Sequence, residues 1–303
     1  MMRTRTAAGL LGTALVAAAL VPGSAHADVA RASAACALKV GAVTTAGDHK
    51  WQTVVASNPV TATAPTVGPK GLFPVDQVRL ASVVGVEPDP PAGMKRSGYV
   101  TILSDLYAFE YVIDQSTGQL DPESYKKRKI GGGWSPEYTY FEVSKFYGPP
   151  RTNTYALRGG VISRWTVDAA GWRNRATYQG FSSVKTMTLI SQTSTYDTFL
   201  ANTRGGALYT IRIPLSGAPV VKKVRASTWQ GFETLIAEKC GSQSTLLLGI
   251  DKDTRTGYLY AVSHANGTAT VIKGLGKVPT TFTDKTYFRS HLDGSEAPTL
   301  YGE

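Results

Sequence analysis

Apolar positions along this chain come in short bursts. Beyond the first 27 residues the three-to-four spacing of an amphipathic helix is almost absent; runs rich in Val, Ile, Leu, Tyr, Thr and Trp are broken by Gly, Asn, Asp and Pro. Such runs read as short strands joined by turns. They also recur. "LYAFEYVIDQSTG" (106–118), "VISRWTVDAAG" (161–171), "LYTIRIPLSG" (208–217) and "LYAVSHANG" (259–267) each begin with a hydrophobic or aromatic pair and end on a turn, at intervals of about 50 residues. Ahead of them stand "YVTIL", "NTYAL", "TFLAN" and "TLLLGI"; behind them come runs such as "WRNRATY", "PVVKKV" and "TATVIK". A further run leads into each next unit: "TYFEV", "VKTMTLI", "ETLIAE" and "KTYF".

Four strands per unit at this period is the pattern of a propeller blade. The expectation is an all-β fold: a five-bladed β-propeller with four antiparallel strands per blade. The last blade is split. "TLYGE" (299–303) reads as its second strand, after a first strand around 281–288, with "ALKVGAVTT" (37–45) and "WQTVVAS" (51–57) as third and fourth. N- and C-terminal strands would then close the ring and leave no raw edge. The first strand of the opening blade is expected near 75–84, and the Pro- and Gly-rich stretches 58–73 and 86–98 read as loops. A β-sandwich also spaces strands regularly, but it accounts neither for the repeat nor for the split unit.

Composition adds a leader and a charge. Arg3 and Arg5, an apolar run from Ala7 to Val21 and the small-x-small end Ala25-His26-Ala27 have the layout of a secretory signal peptide over 1–27, leaving 28–303 as one propeller domain. The apolar run is shorter than the ~20 residues that cross a bilayer, so no membrane span is expected and the protein is placed outside the cell. The net charge is +10, densest at "KKRK" (126–129) and "VKKVR" (221–225). In a secreted protein that charge points away from nucleic acid and toward a solvated basic face attracted to anionic cell-wall polymer. An oxidising compartment favours pairing of the two cysteines, Cys36 and Cys240.

Aromatic turns approach the inner strands: "IGGGWSPEY" (130–138), "YQGF" (178–181) and "WQGF" (229–232), reduced to "KGLF" (70–73) and "LGKV" (275–278) in the first and last blades. A Gly-rich approach to an aromatic-x-x-Phe turn, with this period and Leu-Tyr strands ending on glycine, resembles the tachylectin-2 family of five-bladed propeller lectins. The resemblance covers nearly all of 28–303. It implies binding of N-acetylated amino sugars, of the N-acetylglucosamine or N-acetylgalactosamine type, at shallow sites between neighbouring blades. Trp134, Tyr138, Tyr178, Phe181, Trp229 and Phe232 are the expected contacts, because a sugar ring stacks its apolar face on an aromatic ring. Each of these aromatics could equally fill the wedge between two twisted sheets.

Catalysis is the competing reading. Asp76, Glu137, Glu233 and Asp284 stand near the starts of inner strands, and carboxylates converging on the central channel would form the acid/base set of a glycoside hydrolase. They fall out of register when the aromatic turns are aligned, and one residue of slip reverses the face of a strand. The expectation is therefore a non-enzymatic glycan-binding protein, with the hydrolase and a protein-interaction propeller as alternatives. No cofactor or metal is implied. His49, His264 and His291 have no metal-ligand spacing, and "DKDTRTG" (251–257) lacks the later ligands of a calcium loop.

Overall fold

The computed structural model describes residues 35–293 and 299–303. The leader expected over 1–27 lies outside these residues. The chain forms β1 (Ala37–Val43) and β2 (His49–Val55), then the two-residue strands β3 (Thr61–Ala62) and β4 (Thr66–Val67). Next come β5 (Val78–Ala81), β6 (Val84–Asp89), β7 (Gly93–Ile102), β8 (Asp105–Asp114) and β9 (Lys126–Gly132). Three regular quartets follow. The first is β10 (Tyr138–Tyr147), β11 (Pro150–Arg158), β12 (Val161–Asp168) and β13 (Gly171–Tyr178). The second is β14 (Val184–Gln192), β15 (Tyr196–Thr203), β16 (Leu208–Pro214) and β17 (Val220–Arg225). The third is β18 (Thr234–Cys240), β19 (Ser244–Asp251), β20 (Thr256–Val262) and β21 (Ile272–Lys277), and β22 (Thr286–Leu292) comes last.

Each quartet is an antiparallel meander, giving blades 2, 3 and 4. Blade 1 is β5 and β6 together, then β7, β8 and β9; its inner strand is interrupted at Ser82–Val83, with both halves paired to β7. Blade 5 starts from β22. The inner strands β5, β10, β14, β18 and β22 touch one another in a closed cycle. The apolar core is divided to match, into five clusters, one in each wedge between neighbouring blades. Position in the blade sets composition. Inner β14, "VKTMTLISQ", is buried everywhere except Lys185, as a strand covered on both faces must be. Outer β17, "VVKKVR", exposes its first four residues.

The ring closes as expected between terminal strands, but with different partners. β1 pairs directly with β22, Gly41 opposite Phe288, and takes the second place in blade 5 rather than the third. β2 is third, and β3 and β4 supply a fragmentary fourth strand inside the stretch read as a loop. "TLYGE" is not a strand of this blade. Leu300 O accepts from Gln192 N at 2.9 Å and Gly302 N donates to Ile190 O at 2.8 Å, so the tail lies along the end of β14. The physical reason is burial: β1 is buried at five of its seven positions and so belongs beside an inner strand, leaving no place for the tail there. The stretch 86–98 is also not a loop. It is the hairpin of β6 and β7, turning at 90–92.

Cys36 and Cys240 form a disulfide with Cα atoms 5.4 Å apart, joining the approach to β1 in blade 5 to the end of β18 in blade 4. Among the described residues no helix is long and apolar enough to cross a membrane.

Candidate functional site

The aromatic turns are wedge-fillers. Trp134, Phe181, Trp229 and Phe232 are all buried, so the solvent-facing role expected of them gives way to packing. Trp134 meets Tyr138 at 4.6 Å and Phe141 at 5.2 Å between ring centres. Trp229 lies 4.9 Å from Tyr260. The blade 4 turn is fastened from below by the buried Asn202 amide, which donates to Trp229 O at 2.7 Å and Phe232 O at 2.8 Å. Tyr138 and Tyr178 remain half-buried, with the Arg158 and Arg164 guanidinium groups 5.5 and 5.9 Å from their ring centres.

At the axis, the starts of the inner strands enclose a cavity of about 90 Å³. Of the four acids weighed for catalysis only Glu233 lines it, and it is paired with Lys185. Asp76 is 2.5 Å from Lys285, Glu137 is 2.8 Å from Arg158, and Asp284 is paired with Lys50. They do not converge. A second acid lining the axis is Glu142, which the sequence did not single out. It is buried and accepts from Val143 N at 2.8 Å and Val83 N at 3.1 Å; burial raises its pKa, opposed by the charge of Arg289. The loop 251–257 is a hairpin turn in which Asp251 caps Thr254 N at 2.9 Å. No cluster of His, Cys, Asp and Glu able to hold a metal occurs among the described residues.

A larger opening lies in the wedge between blades 1 and 2. This groove of about 360 Å³ is walled by Tyr99, Phe109, Val83 and Val143, and rimmed by Glu110, Lys126, Arg128, Lys145 and Thr152. Tyr99 is held edge-on by Phe141 at 6.0 Å and Trp172 at 5.6 Å, so its ring is fixed before any ligand arrives. Burial raises the pKa of its hydroxyl, which stays protonated. Glu110 and Lys126 form an open pair at 3.1 Å. His291 closes the inner end; burial, helped by Arg289, lowers its pKa to about 3, so the ring is neutral, and its buried Nδ1 has no protein partner. Sequence reasoning missed Tyr99, Trp172 and His291. The signal was there for Tyr99, at the head of a second strand, but its facing depends on which blade packs against it.

No protein-family model matches the chain, and no curated protein does. Solved structures do. A fungal lectin, Aleuria aurantia lectin, described as a six-bladed β-propeller with a novel fucose recognition mode, is 14% identical with a TM-score of 0.50, over 87% of this chain and 86% of the lectin. A lectin from Burkholderia pseudomallei is 13% identical with a TM-score of 0.47, over 82% and 83% of the two chains. An α-L-arabinofuranosidase from Podospora anserina, solved with cellotriose, is 15% identical with a TM-score of 0.47, over 78% and 79%. The fold is thus a β-propeller of the kind found in lectins. The expectation of a non-enzymatic protein is corrected: an arabinofuranosidase stands beside the lectins, so the fold assigns neither binding alone nor catalysis.

Proposed function

We propose that the protein binds carbohydrate in the groove between blades 1 and 2, in the manner of tachylectin-2-like propellers, taking an N-acetylated amino sugar or a related surface glycan. The groove carries this reading. Its ~360 Å³ falls within the ~300–1,000 Å³ of small-ligand pockets, as do two more open depressions of about 530 and 560 Å³, whereas the axial cavity of ~90 Å³ is below it; the lining, not the volume, singles this groove out. The chemistry suits a sugar. The half-buried Tyr99 ring offers an apolar face, Glu110 accepts from hydroxyls, and Arg128 and Lys126 donate to ring or acetamido oxygens. The unpartnered Nδ1 of His291 is a buried polar atom whose desolvation a ligand hydrogen bond would offset. Tyr138 and Tyr178, with rings still partly open, are secondary contacts at other wedges. Trp134, Phe181, Trp229 and Phe232 act indirectly, by holding those wedges in shape. A location outside the cytoplasm is supported by the leader and by the Cys36–Cys240 bond, since disulfides persist in oxidising compartments.

Titration with chitin oligosaccharides, followed by intrinsic tryptophan fluorescence with Trp172→Phe as the control for the ring next to Tyr99, tests the assignment. Saturable quenching is expected in the wild type, with affinity about tenfold weaker in Tyr99→Ala, a loss of roughly 1.4 kcal/mol. Tyr99→Phe keeps the packing and isolates the hydroxyl. Unchanged affinity in both Tyr99→Ala and Glu110→Gln overturns the groove. Chromogenic glycosides in the same samples read turnover directly.

A further inference from the structure

The fold sorts charge in a way the linear sequence hides. The outermost strands of blades 1 to 4 are β9, β13, β17 and β21, and they contain eleven Lys or Arg residues and no Asp or Glu. β9 contributes Lys126, Lys127, Arg128 and Lys129, and β13 contributes Arg173 and Arg175. β17 adds Lys222, Lys223 and Arg225, and β21 adds Lys273 and Lys277. All but Arg225 are exposed. Edge strands use charge, Lys especially, to discourage pairing with other chains. That accounts for lysines on single edges, but not for added arginines and a basic run that continues from one blade to the next. Neutralisation is slight: among the described residues carboxylates pair only with Lys126, Lys129 and Arg173, through Glu110, Asp105 and Asp168 on neighbouring third strands or their turns. Exposed pairs of this kind are worth little and are readily exchanged for another anion.

The basic edges are continuous across at least one blade boundary. Arg225 on β17 donates to Thr270 O at 2.8 Å, and β17 packs on the turn Gly267–Ala269 that leads into β21. Lys222 and Lys223 therefore lie against the turn that leads into the strand carrying Lys273, and Val221 (49%) and Val271 (65%) are exposed on these segments. At the other end, Lys126 and Arg128 belong to the rim of the blade 1–2 groove.

We infer that the outer rim of the propeller is a docking belt for a linear polyanionic glycan, a chain of repeating carboxylate, sulfate or phosphate groups. A flexible chain follows a curved rim; a flat anionic membrane meets it one blade at a time. Nucleic acid fits less well, because β9, β17 and β21 carry no aromatic residue on which bases could stack. The belt on blades 3 and 4 is separate from the groove and does not depend on which sugar the groove takes.

The test compares two double charge reversals of equal net charge: Lys222→Glu with Lys223→Glu on the belt, and Lys70→Glu with Arg255→Glu away from it. Binding to heparin as the probe glycan is measured between 50 and 500 mM salt, beside single-stranded DNA and phosphatidylglycerol vesicles. We expect salt-sensitive heparin binding, weakened about tenfold by the belt variant and less than about twofold by the off-belt variant, with Tyr99→Ala unchanged. Melting temperatures within a degree or two of wild type show that both variants fold, and Lys222→Gln with Lys223→Gln gives a milder version of the belt variant. Equal losses in the two reversals, no heparin binding, or tighter binding to DNA or vesicles overturns the belt.

Discussion

His49 is an ionisable side chain held where ionisation is disfavoured. It lies on β2 with 1% of its surface exposed, its Nδ1 is hydrogen-bonded to the Tyr111 hydroxyl, and its Nε2 has no partner. Trp51 and Phe288 pack edge-on at 5.4 and 5.2 Å. Burial first, then the charges of Arg96 and Lys39, lower its pKa to about 3. In the unfolded chain the same ring titrates near 6.5. Between those two pH values the unfolded state binds a proton that the native state refuses. Stability is therefore complete above about pH 6.5 and falls as the solution is acidified toward pH 3, at about 1.4 kcal/mol per pH unit once the unfolded histidine is fully protonated. His291, also lowered to about 3, adds a second contribution of the same sign. Urea midpoints measured at pH 7.5, 6, 5 and 4 should hold steady and then drop. In His49→Gln, which keeps a side-chain partner for Tyr111 but does not titrate, about half of that pH dependence should vanish. An unaltered slope would remove His49 from the account.

Between elements, one carboxylate organises the junction of blades 2 and 3. Asp197 on β15 is fully buried, and it accepts from the Ser144 hydroxyl at 2.7 Å, the Tyr155 hydroxyl at 2.6 Å and two Arg151 nitrogens at 2.7 and 2.8 Å. Its partners come from β10 and β11, across the wedge. Asp197→Ala would leave the largely buried Arg151 without a counter-charge, so a loss of ~3–5 kcal/mol is expected in chemical unfolding, with Arg151→Met/Asp197→Leu recovering part of it. Nothing in "STYDTFLAN" marks this aspartate as different from any turn residue. That is the general limit on what the chain discloses. Inner and second strands were readable because burial on both faces writes a continuous apolar run, as in "TLLLGI". The fragments β3 and β4 were not, since an edge needs only two residues of pairing and tolerates Pro and Thr. The repeat fixed which strands are neighbours within blades 2, 3 and 4, but not in the split blade 5 and not which side chains meet across a wedge. So the aromatic turns looked like contacts, while Tyr99, Trp172 and His291, brought together from β7, β13 and β22, passed unnoticed.

For the whole molecule, the question is what keeps a ring assembled from both ends of a chain from opening. Three fastenings act at different joints. The tail ties blades 3 and 4: Leu300 is buried at 1% exposure, Gly302 O accepts from Ala265 N at 2.6 Å, and the Glu303 carboxylate meets Thr198 Oγ1 at 2.5 Å and Arg212 Nε at 3.1 Å. The disulfide ties blades 4 and 5, and the β1–β22 seam closes blade 5 on itself. The seam is tight at one point. A Cβ on Gly41 would fall 2.0 Å from the Phe288 ring, which is itself buried against His49, so Gly41→Val must push β1 away from β22. With the disulfide intact, a displaced β1 stays tethered beside its slot and re-pairs readily, because an intramolecular partner is held at high effective concentration. Without it, the whole segment through β2 is free to leave. The bridge encloses 204 residues of sequence separation, and its removal alone should cost about 2–5 kcal/mol, mostly through a freer unfolded chain. The two lesions should thus be more than additive. Limited proteolysis read by mass spectrometry should find 35–57 protected in Gly41→Val and in Cys36→Ser/Cys240→Ser, and cleaved rapidly near 44–48 only in the triple variant. Simple additivity in the unfolding free energies, with no selective cleavage, would mean that the seam and the bridge hold different parts of the ring rather than the same one.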